Sequence, residues 1–275
     1  MYENSIELLG DKSGPVSIIL VGVHGNEKCG IYALEKILPS LKIESGRVLI
    51  VYGNPKAIDQ NVRYVEVNLN RMFKLDKNIS EEEKKSYEYG RAQFIKKYLE
   101  QADVLLDIHA SFTPNSSPFV ICESNAKGII EYLPSNLVVS GFDKVEPGGT
   151  DYYMNSIGKV GICFECGYLG DSKSIYLAEE SVYAFLKARG HIQNDLIPRE
   201  QTYINMYDLY LTKTKKFSLV KDFIDFEIVL KDQDIGIDGE KIIKAKKDSV
   251  ILFARNVDEV GEEAFLIGEN KNSLA

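Results

Sequence analysis

The sequence has few cysteines, and their placement excludes a disulfide scaffold. Only four occur in 275 residues, and Cys29, Cys122, Cys163 and Cys166 lie at irregular spacing within apolar segments. This pattern favours reduced, buried thiols, so we expect a cytoplasmic protein. Cys163 and Cys166 have a Cys-x-x-Cys spacing. However, residues three apart on an extended strand point to opposite faces, and no second pair completes a metal site.

Long apolar runs and an excess of basic residues are also missing. No apolar stretch approaches the ~20 residues that span a bilayer, and the first residues, Met-Tyr-Glu-Asn, do not have the pattern of an export signal. We therefore expect no membrane partner. The formal net charge is -8 and the pI is near 5.1, with acidic residues spread along the chain. Without a basic stripe to neutralise phosphates, no nucleic-acid partner is expected.

The first part of the sequence alternates between strands and helices. Apolar runs at 16–23 and 47–52 flank a periodic segment at 27–38, which predicts a strand, a helix and a second, parallel strand. A Ser-Glu-Glu-Glu capping box at Ser80 predicts the start of another helix. Further predicted strands are 103–108, 118–122 and 159–164, and further predicted helices are 80–101 and 173–189.

After residue 198 the pattern changes to short alternating runs, which predict a mostly antiparallel β region. The overall expectation is an α/β fold with a mostly parallel sheet flanked by helices. We expect a catalytic domain at 1–198 and a small β-rich domain at 199–275. The predicted strands of this second region are 203–211, 226–230, 241–243 and 249–253.

Three polar residues at predicted strand ends can hold a metal ion. His24 and Glu27 follow the first strand across a turn for which Gly25 leaves room, and His109 follows the strand at 103–108. These residues can meet because the carboxyl ends of parallel strands share one edge. Two histidines and one carboxylate leave a position open for water, so we expect one zinc ion per chain. Taken singly, His109 also fits a hydrogen-bonded core residue, and His24 with Glu27 fits a polar turn.

Another strand end carries Glu165, in the segment Cys-Phe-Glu-Cys-Gly. Zinc lowers the pKa of bound water toward about 7, and a nearby carboxylate can then take the proton as general base. Glu165 is the best candidate for that base. A solvated strand end is the alternative interpretation.

The long predicted loop at 53–74 carries Arg63, Asn70 and Arg71. Two arginines and an amide in one loop favour bidentate recognition of carboxylates. For Arg63 alone, a surface ion pair is the alternative.

Several motifs occur together in a fixed order between residues 16 and 167. They are His-x-x-Glu, Gly-Asn-Pro-x-Ala, Arg, Asn-Leu-Asn-Arg, Asp-x-His and Glu-x-Gly. In this combination the chain resembles the succinylglutamate desuccinylase and aspartoacylase family, a branch of the zinc carboxypeptidase superfamily. The resemblance implies a zinc-carboxypeptidase-like fold and a zinc-dependent hydrolase that cleaves the amide bond of a small N-acyl amino acid. It also implies that the smaller C-terminal β domain narrows the site.

The resemblance implies roles for individual residues as well. It assigns zinc binding to the two histidines and the glutamate named above, and activation of water to Glu165. Arg63 would polarise the scissile carbonyl and stabilise the oxyanion. Asn70 and Arg71 would hold a substrate carboxylate. The family commonly has Asp where this chain has Asn68, so a charge that could orient the arginines is neutral here.

Two rival functions share these motifs. One is a zinc carboxypeptidase that acts on short peptides, and the other is a non-catalytic metal-binding or ligand-binding protein on the same fold. The sequence leaves the acyl group and the amino acid open. A homo-oligomer is compatible with the sequence.

Overall fold

The central sheet of the protein is continuous from the N-terminal strands to the C-terminal ones. The structure is a computed structural model that describes residues 2 and 5–274, and within this range eleven strands share the sheet. The strands are β1 Ile6–Leu9, β2 Lys12–Val21, β3 Ser45–Tyr52, β4 Val104–Ser111, β5 Phe119–Cys122, β6 Leu137–Ser140, β7 Val160–Tyr168, β8 Thr202–Leu211, β9 Phe217–Leu219, β10 Glu227–Val229, β11 Asp234–Asp238, β12 Lys241–Lys244, β13 Ser249–Leu252 and β14 Glu263–Lys271. The helices are α1 Cys29–Ile37, α2 Pro55–Gln60, α3 Tyr87–Leu99, α4 Phe142–Val145, α5 Thr150–Ser156 and α6 Lys173–Ala188.

The strand order confirms the expected fold class. Along the sheet it is β1, β3, β2, β4, β7, β5, β6, β8, β14, β13 and β10. Strands β3, β2, β4 and β7 are parallel to one another, whereas β5 runs antiparallel to β7. The carboxyl ends of β2, β4 and β7 therefore lie side by side at one edge.

Alternating side chains of β2 enter two separate core layers. Ile19 and Val21 pack in the layer that contains α1 and α6, whereas Ile18 and Leu20 pack in the layer that contains α3. All four side chains are fully buried, and each contributes about 1.5–3 kcal/mol relative to an exposed position. Because helices cover both faces of the sheet, successive side chains of β2 are all buried, and its sequence is a continuous apolar run.

The C-terminal strands extend the same sheet. Strand β6 pairs in parallel with β8, for example Val138 with Tyr203, and β14, β13 and β10 follow in antiparallel order. Strands β12, β11 and β9 form a second sheet of three strands. Phe217, Ile251 and Phe265 belong to an apolar cluster of this region. The domain boundary after residue 198 stays a prediction.

The predicted helix at 80–101 begins later than its capping box indicates. Ser80 and Glu83 do bond reciprocally, with Glu83 N donating to Ser80 Oγ at 3.2 Å and Ser80 N donating to Glu83 Oε2 at 2.8 Å. This box belongs to a separate 3-10 turn, however, because Ser86 caps α3 by accepting from Tyr89 N at 3.2 Å. The predicted loop at 53–74 also contains α2. Within the described range, no helix combines the length and apolarity needed to cross a membrane.

Candidate active site

Neighbouring strand ends bring the predicted site residues together. His109 on β4 and Glu165 on β7 are partners in register, so their side chains leave the same face of the sheet. His24 follows β2, and Glu27 N donates to His24 O at 3.2 Å to close the turn between them. A β-carbon on Gly25 would lie 2.1 Å from the carbonyl carbon of Ala57, so only glycine fits where this turn meets α2.

Two histidines and one glutamate form the centre of the site. Glu27 Oε1 lies 2.8 Å from His24 Nδ1, and Glu27 Oε2 lies 3.0 Å from His109 Nδ1. The exposed fractions of His24, Glu27 and His109 are 4%, 3% and 2%. One potential ligand atom from each residue lies within 4.8 Å of the other two. The predicted trio is therefore assembled in one buried cluster.

The far nitrogen of each histidine faces an oxygen acceptor. His24 Nε2 lies 3.2 Å from Asn68 Oδ1, and His109 Nε2 lies 3.0 Å from Asp107 Oδ2. Asn68 Oδ1 also accepts from Asn70 N at 3.0 Å, which fixes the orientation of that amide. For His24, whose ring is neutral, the contact with Asn68 places the proton on Nε2, so the lone pair of its Nδ1 points toward Glu27. His109 Nδ1 lies within hydrogen-bonding distance of Glu27 Oε2.

This arrangement fits a cation. The Nδ1 atoms of both histidines converge on the carboxylate of Glu27, and His24 Nδ1 has no hydrogen bond that satisfies normal geometry in the described part of the chain. Metal-binding histidines usually donate their second nitrogen to an oxygen, as His24 does to Asn68, and Asp107 lies at the corresponding place beside His109 Nε2. On sequence grounds, position 68 would orient the arginines. In the structure Asn68 contacts His24 instead.

The charges of the cluster depend on burial and on neighbouring groups. Burial and then Arg63 lower the pKa of His24 to about 4. Burial opposes ionisation of Glu27, but His24 and His109 outweigh it and hold the pKa of Glu27 well below its usual range. Burial also lowers the pKa of His109, yet Asp107 and Glu27 together raise it well above the usual value. Glu27 is therefore a carboxylate at neutral pH.

Glu165 carries a buried carboxyl group. It is 7% exposed, and its Oε2 has no hydrogen-bond partner among the described residues. Burial raises the pKa of Glu165 to about 8; Glu27 and Asp225 also raise it, whereas His109 opposes them. A nearby metal cation would lower this pKa and favour the carboxylate that a general base requires.

Arg63 lies beside the cluster. Its Nη1 donates to Glu27 Oε1 at 2.9 Å, and about a third of its side chain, 32%, is exposed. Its carbonyl oxygen accepts from Gly25 N at 3.2 Å. The guanidinium is thus a positive charge held between the cluster of His24, Glu27 and His109 and the open cleft.

The loop that carries Arg63 is held by a glutamate that sequence reasoning missed. Glu88, on the first turn of α3, is completely buried. Its Oε1 accepts from Val65 N at 2.7 Å and from Asn54 Nδ2 at 3.1 Å, and its Oε2 accepts from Val67 N at 3.3 Å. Several donors to one carboxylate compensate its burial and fix the backbone of the loop.

The Gly-Asn-Pro-x-Ala motif has a local structural role. Asn54 caps α2, because its Oδ1 accepts from Ala57 N at 3.2 Å, and Pro55 occupies the first helical position. The other end of the Asn54 amide contacts Glu88. The motif therefore links α2, α3 and the arginine-bearing loop.

Arg71 is engaged by carboxylates of the protein itself. Its Nε and Nη2 donate to the two oxygens of Glu263 at 2.7 and 2.9 Å, and Nη2 also forms an ion pair with Glu146. Its Nη1 donates to Asn70 O at 2.7 Å. All three nitrogens of the guanidinium are thus occupied, although a substrate carboxylate is the partner that the sequence suggests.

The C-terminal region forms one wall of the cleft above the site. The cleft has a volume of about 850 Å³. Asp225 accepts from Ser111 Oγ at 2.8 Å and from Thr113 Oγ1 at 3.1 Å, which ties this region to the end of β4. The C-terminal residues that line the cleft are Phe253, Arg255, Glu263, Phe265 and Leu266.

Asp107 and the cysteines complete the description of the predicted motifs. Asp107, inside the Asp-x-His motif, accepts from Thr150 Oγ1 at 2.5 Å while facing His109. Cys163 lines the cleft, whereas Cys166 packs in the opposite core layer, so they point to different faces as expected. All four cysteines are free.

Comparison with known proteins identifies one family. Residues 13–187 match the family "Succinylglutamate desuccinylase/Aspartoacylase catalytic domain". A probable aspartoacylase from Trichodesmium erythraeum is 29% identical over 168 residues, which cover 54% of each chain. A succinylglutamate desuccinylase from Pseudoalteromonas atlantica is 27% identical over 142 residues, 44% of this chain and 40% of that protein. The match thus spans about half the length of these relatives.

The fold is also found in solved structures. The crystal structure of succinylglutamate desuccinylase from Vibrio cholerae superposes with a TM-score of 0.82 at 20% sequence identity. The superposition covers 97% of this chain and 85% of that one, so it includes the C-terminal β region. At this identity the similarity establishes the fold.

Proposed function

The chain belongs to the succinylglutamate desuccinylase and aspartoacylase family, and on this basis we propose that it is a zinc-dependent hydrolase that cleaves the amide bond of a small N-acyl amino acid. One observation carries the proposal. The Nδ1 atoms of His24 and His109 converge with the carboxylate of Glu27, while both Nε2 atoms face oxygen acceptors. This donor set, two imidazoles and one carboxylate, is typical of catalytic zinc.

His24, Glu27 and His109 would hold the zinc ion. When bound, zinc supplies a Lewis acid for the scissile carbonyl and for the attacking water. With the metal in place, Asn68 and Asp107 would accept from the two Nε2 atoms and so hold both rings in the tautomer that this role requires.

Glu165 is proposed as the general base and then the general acid. Its buried carboxyl group lies beside His109, and with the metal bound its carboxylate form would take a proton from the attacking water and pass that proton to the leaving amine.

Arg63 is proposed to stabilise the oxyanion. It is a fixed positive charge next to Glu27, on a loop that Glu88 holds rigid, and part of its side chain faces the cleft. Such a preorganised charge stabilises the negative oxygen that forms as the carbonyl is attacked.

We also propose a reducing, cytoplasmic location. All four cysteines are free and buried, as is usual for proteins of reducing compartments.

The proposal is tested by release of free amine from the zinc-loaded protein. The substrate panel contains N-acyl amino acids with several acyl groups, together with tripeptides and tetrapeptides. We expect turnover of N-acyl amino acids. Turnover of the peptides alone would indicate a carboxypeptidase, and zinc binding without any hydrolysis would indicate a non-catalytic protein.

A further inference from the structure

The face of the sheet that carries Glu165 continues beyond it as an apolar surface. On one side, the register partner of Glu165 is His109 of β4. On the other side, its register partner is Phe119 of β5, and two residues further along β5 Ile121 pairs with Cys163. Register partners, and residues two apart on a strand, share a face of the sheet. Glu165 therefore lies between the imidazole of His109 and a series of apolar side chains.

Four of the side chains beyond Glu165 form an apolar floor of the cleft. They belong to one apolar cluster, and all of them line the cleft: Ile121, Phe142, Cys163 and Leu266. Their exposed fractions lie between 2% and 7%. Three are hydrocarbon side chains and the fourth ends in a thiol. A group that enters this part of the cleft therefore meets apolar surface.

Phe253 adds an aromatic ring to the same part of the cleft. Its φ is 53°, a left-handed conformation that is an outlier for a bulky residue. Its N donates to Asp225 Oδ1 at 3.0 Å, and its ring centroid lies 5.9 Å from that of Phe119. Strained backbone of this kind persists only where the surrounding structure enforces it, as at ligand sites. The strain thus holds an apolar ring against the cluster that contains the floor.

The proposed reaction places the amino-acid half of the substrate over this floor. Glu165 passes its proton to the leaving amine, so the amine nitrogen comes within about 2.6–3.2 Å of the Glu165 carboxyl group. The carbonyl oxygen points to Arg63 and to the group of His24, Glu27 and His109, on the other side of Glu165. Because the α-carbon is bonded to the amine nitrogen, the amino-acid side chain begins beside Glu165 and extends over β7 and β5.

A side-chain carboxylate would find no free cation at the floor. In the described part of the chain, the arginines that line the cleft each pair with a carboxylate of the protein: Arg63 with Glu27, Arg71 with Glu146 and Glu263, and Arg255 with Glu262. Burial of a carboxylate against apolar groups without a partner is costly, whereas burial of a hydrocarbon side chain is favourable. The floor therefore selects for apolar side chains and against acidic ones.

We propose that the substrate is an N-acyl amino acid with an uncharged, apolar side chain, and that the apolar floor binds this side chain. The inference rests on the proposed function and names the substrate class of the same site. It leaves the role of Asn70 and Arg71 toward the α-carboxylate unchanged, and that group is common to every compound in the test.

The test compares three substrates with the same acyl group on the zinc-loaded protein. N-acetylleucine, N-acetylasparagine and N-acetylaspartate all branch at the γ atom, so their side chains have similar shapes and differ in polarity and charge. The same series with a succinyl group is measured in parallel. We expect kcat/KM of the leucine compound to exceed the other two by at least about tenfold, as for burial of one apolar side chain. Equal or better turnover of the asparagine or aspartate compound would overturn the inference.

Two variants assign the preference to the floor. Ile121→Ala and Leu266→Ala each remove part of it from a different strand, so the ratio of kcat/KM for N-acetylleucine to that for N-acetylalanine should fall about fivefold or more. The matched control is Ile50→Ala, which truncates a buried isoleucine of β3 in the opposite core layer and should keep the ratio. An unchanged ratio in the folded floor variants would contradict the assignment. The wild-type comparison needs no variant and decides if neither folds.

Binding separates this inference from the proposed function. Affinities of the three compounds are measured by calorimetry on the zinc-loaded Glu165→Gln variant, with and without Ile121→Ala. If the wild-type protein hydrolyses no N-acyl amino acid, the proposed function fails. The pocket still stands if the leucine compound binds most tightly, with the most negative heat-capacity change, and loses that advantage with Ile121→Ala. It is overturned if the aspartate compound binds equally or more tightly, or if none of the three binds.

Discussion

His109 and Glu165 are register partners on the adjacent parallel strands β4 and β7, so that a buried imidazole and a buried carboxyl group project side by side. This relationship is a consequence of backbone geometry alone, because residues paired in register share a face of the sheet. It places the proposed base next to the proposed metal without a contribution from any flexible loop.

Replacement of Glu165 by Gln should abolish catalysis while the metal stays bound. The amide has the shape of the carboxylate but cannot accept the proton, and general base catalysis typically contributes about 10²–10⁴-fold in rate. We expect kcat to fall by that factor, measured by amine release, with zinc content unchanged. Full activity in zinc-loaded Glu165→Gln would exclude the proposed mechanism.

Asn68 should tune the affinity for zinc. Its Oδ1 faces His24 Nε2, and an outer partner of this kind is worth about 10–100-fold in metal affinity. Asn68→Ala should weaken zinc binding by such a factor. Asn68→Asp keeps the cap on Asn70 N and adds a charge, so it should bind zinc more tightly than the wild-type protein.

Competition with a chelator of known affinity measures the zinc affinity of the wild-type protein, Asn68→Ala and Asn68→Asp. The account of Asn68 fails if Asn68→Ala retains wild-type affinity, or if Asn68→Asp binds more weakly than the wild-type protein.

Glu88 should position the arginine-bearing loop. In Glu88→Gln, the side-chain NH2 group faces backbone N–H groups that donate to the carboxylate in the wild-type protein. Each lost hydrogen bond to a charged group costs about 1.5–3 kcal/mol. We expect a lower free energy of unfolding and a fall in kcat of about tenfold or more, because the position of Arg63 shifts.

The matched control is Glu81→Gln, whose side chain is 87% exposed. Chemical denaturation and kinetics are measured for both variants. A Glu88→Gln protein with wild-type kcat would show that the loop keeps its position without this carboxylate.

The stability of the protein should depend on Glu146 between mildly acidic and mildly alkaline pH. Burial raises the folded-state pKa of Glu146 to about 8, above the ordinary value of 4.5. The folded state therefore binds the proton more tightly than the unfolded state does. This contribution is complete below pH 4.5 and is lost as the pH rises through about 8.

Glu146→Gln removes the titrating group. Melting temperatures measured from pH 5 to pH 9 should show the wild-type protein losing stability relative to this variant as the pH rises. A difference that stays constant across the range would contradict the raised pKa of Glu146.

The sequence predicted which residues meet at the centre of the site because they lie at strand ends. His24, Glu27, His109 and Glu165 each follow or end an apolar run, and parallel strands leave little choice of where such residues meet. The family resemblance predicted from these motifs is confirmed by the match over residues 13–187. The mostly parallel sheet is confirmed as well.

The contacts of Arg71 on the wall of the cleft could not be predicted in the same way. Arg71 contacts Glu263 across 192 residues, and no local pattern marks either as a partner of the other. Strands β6 and β14 were not predicted either. The four residues of β6 carry too short a pattern, and β14 includes Gly268 and mixes polar residues with apolar ones. Helix α3 begins late because Ser86, rather than Ser80, supplies its cap.

The most direct test of the central claim is the zinc content of protein purified without added metal. We predict one zinc ion per chain in the wild-type protein and none in a folded His109→Ala variant. His109 also lies in a second group of potential ligands, with Cys163 and Glu165. Because Cys163→Ser changes that second group and leaves His24, Glu27 and His109 intact, this variant should also contain one zinc ion per chain. A folded wild-type protein that binds no zinc even when zinc is supplied, or zinc that remains bound in His109→Ala, would contradict the account.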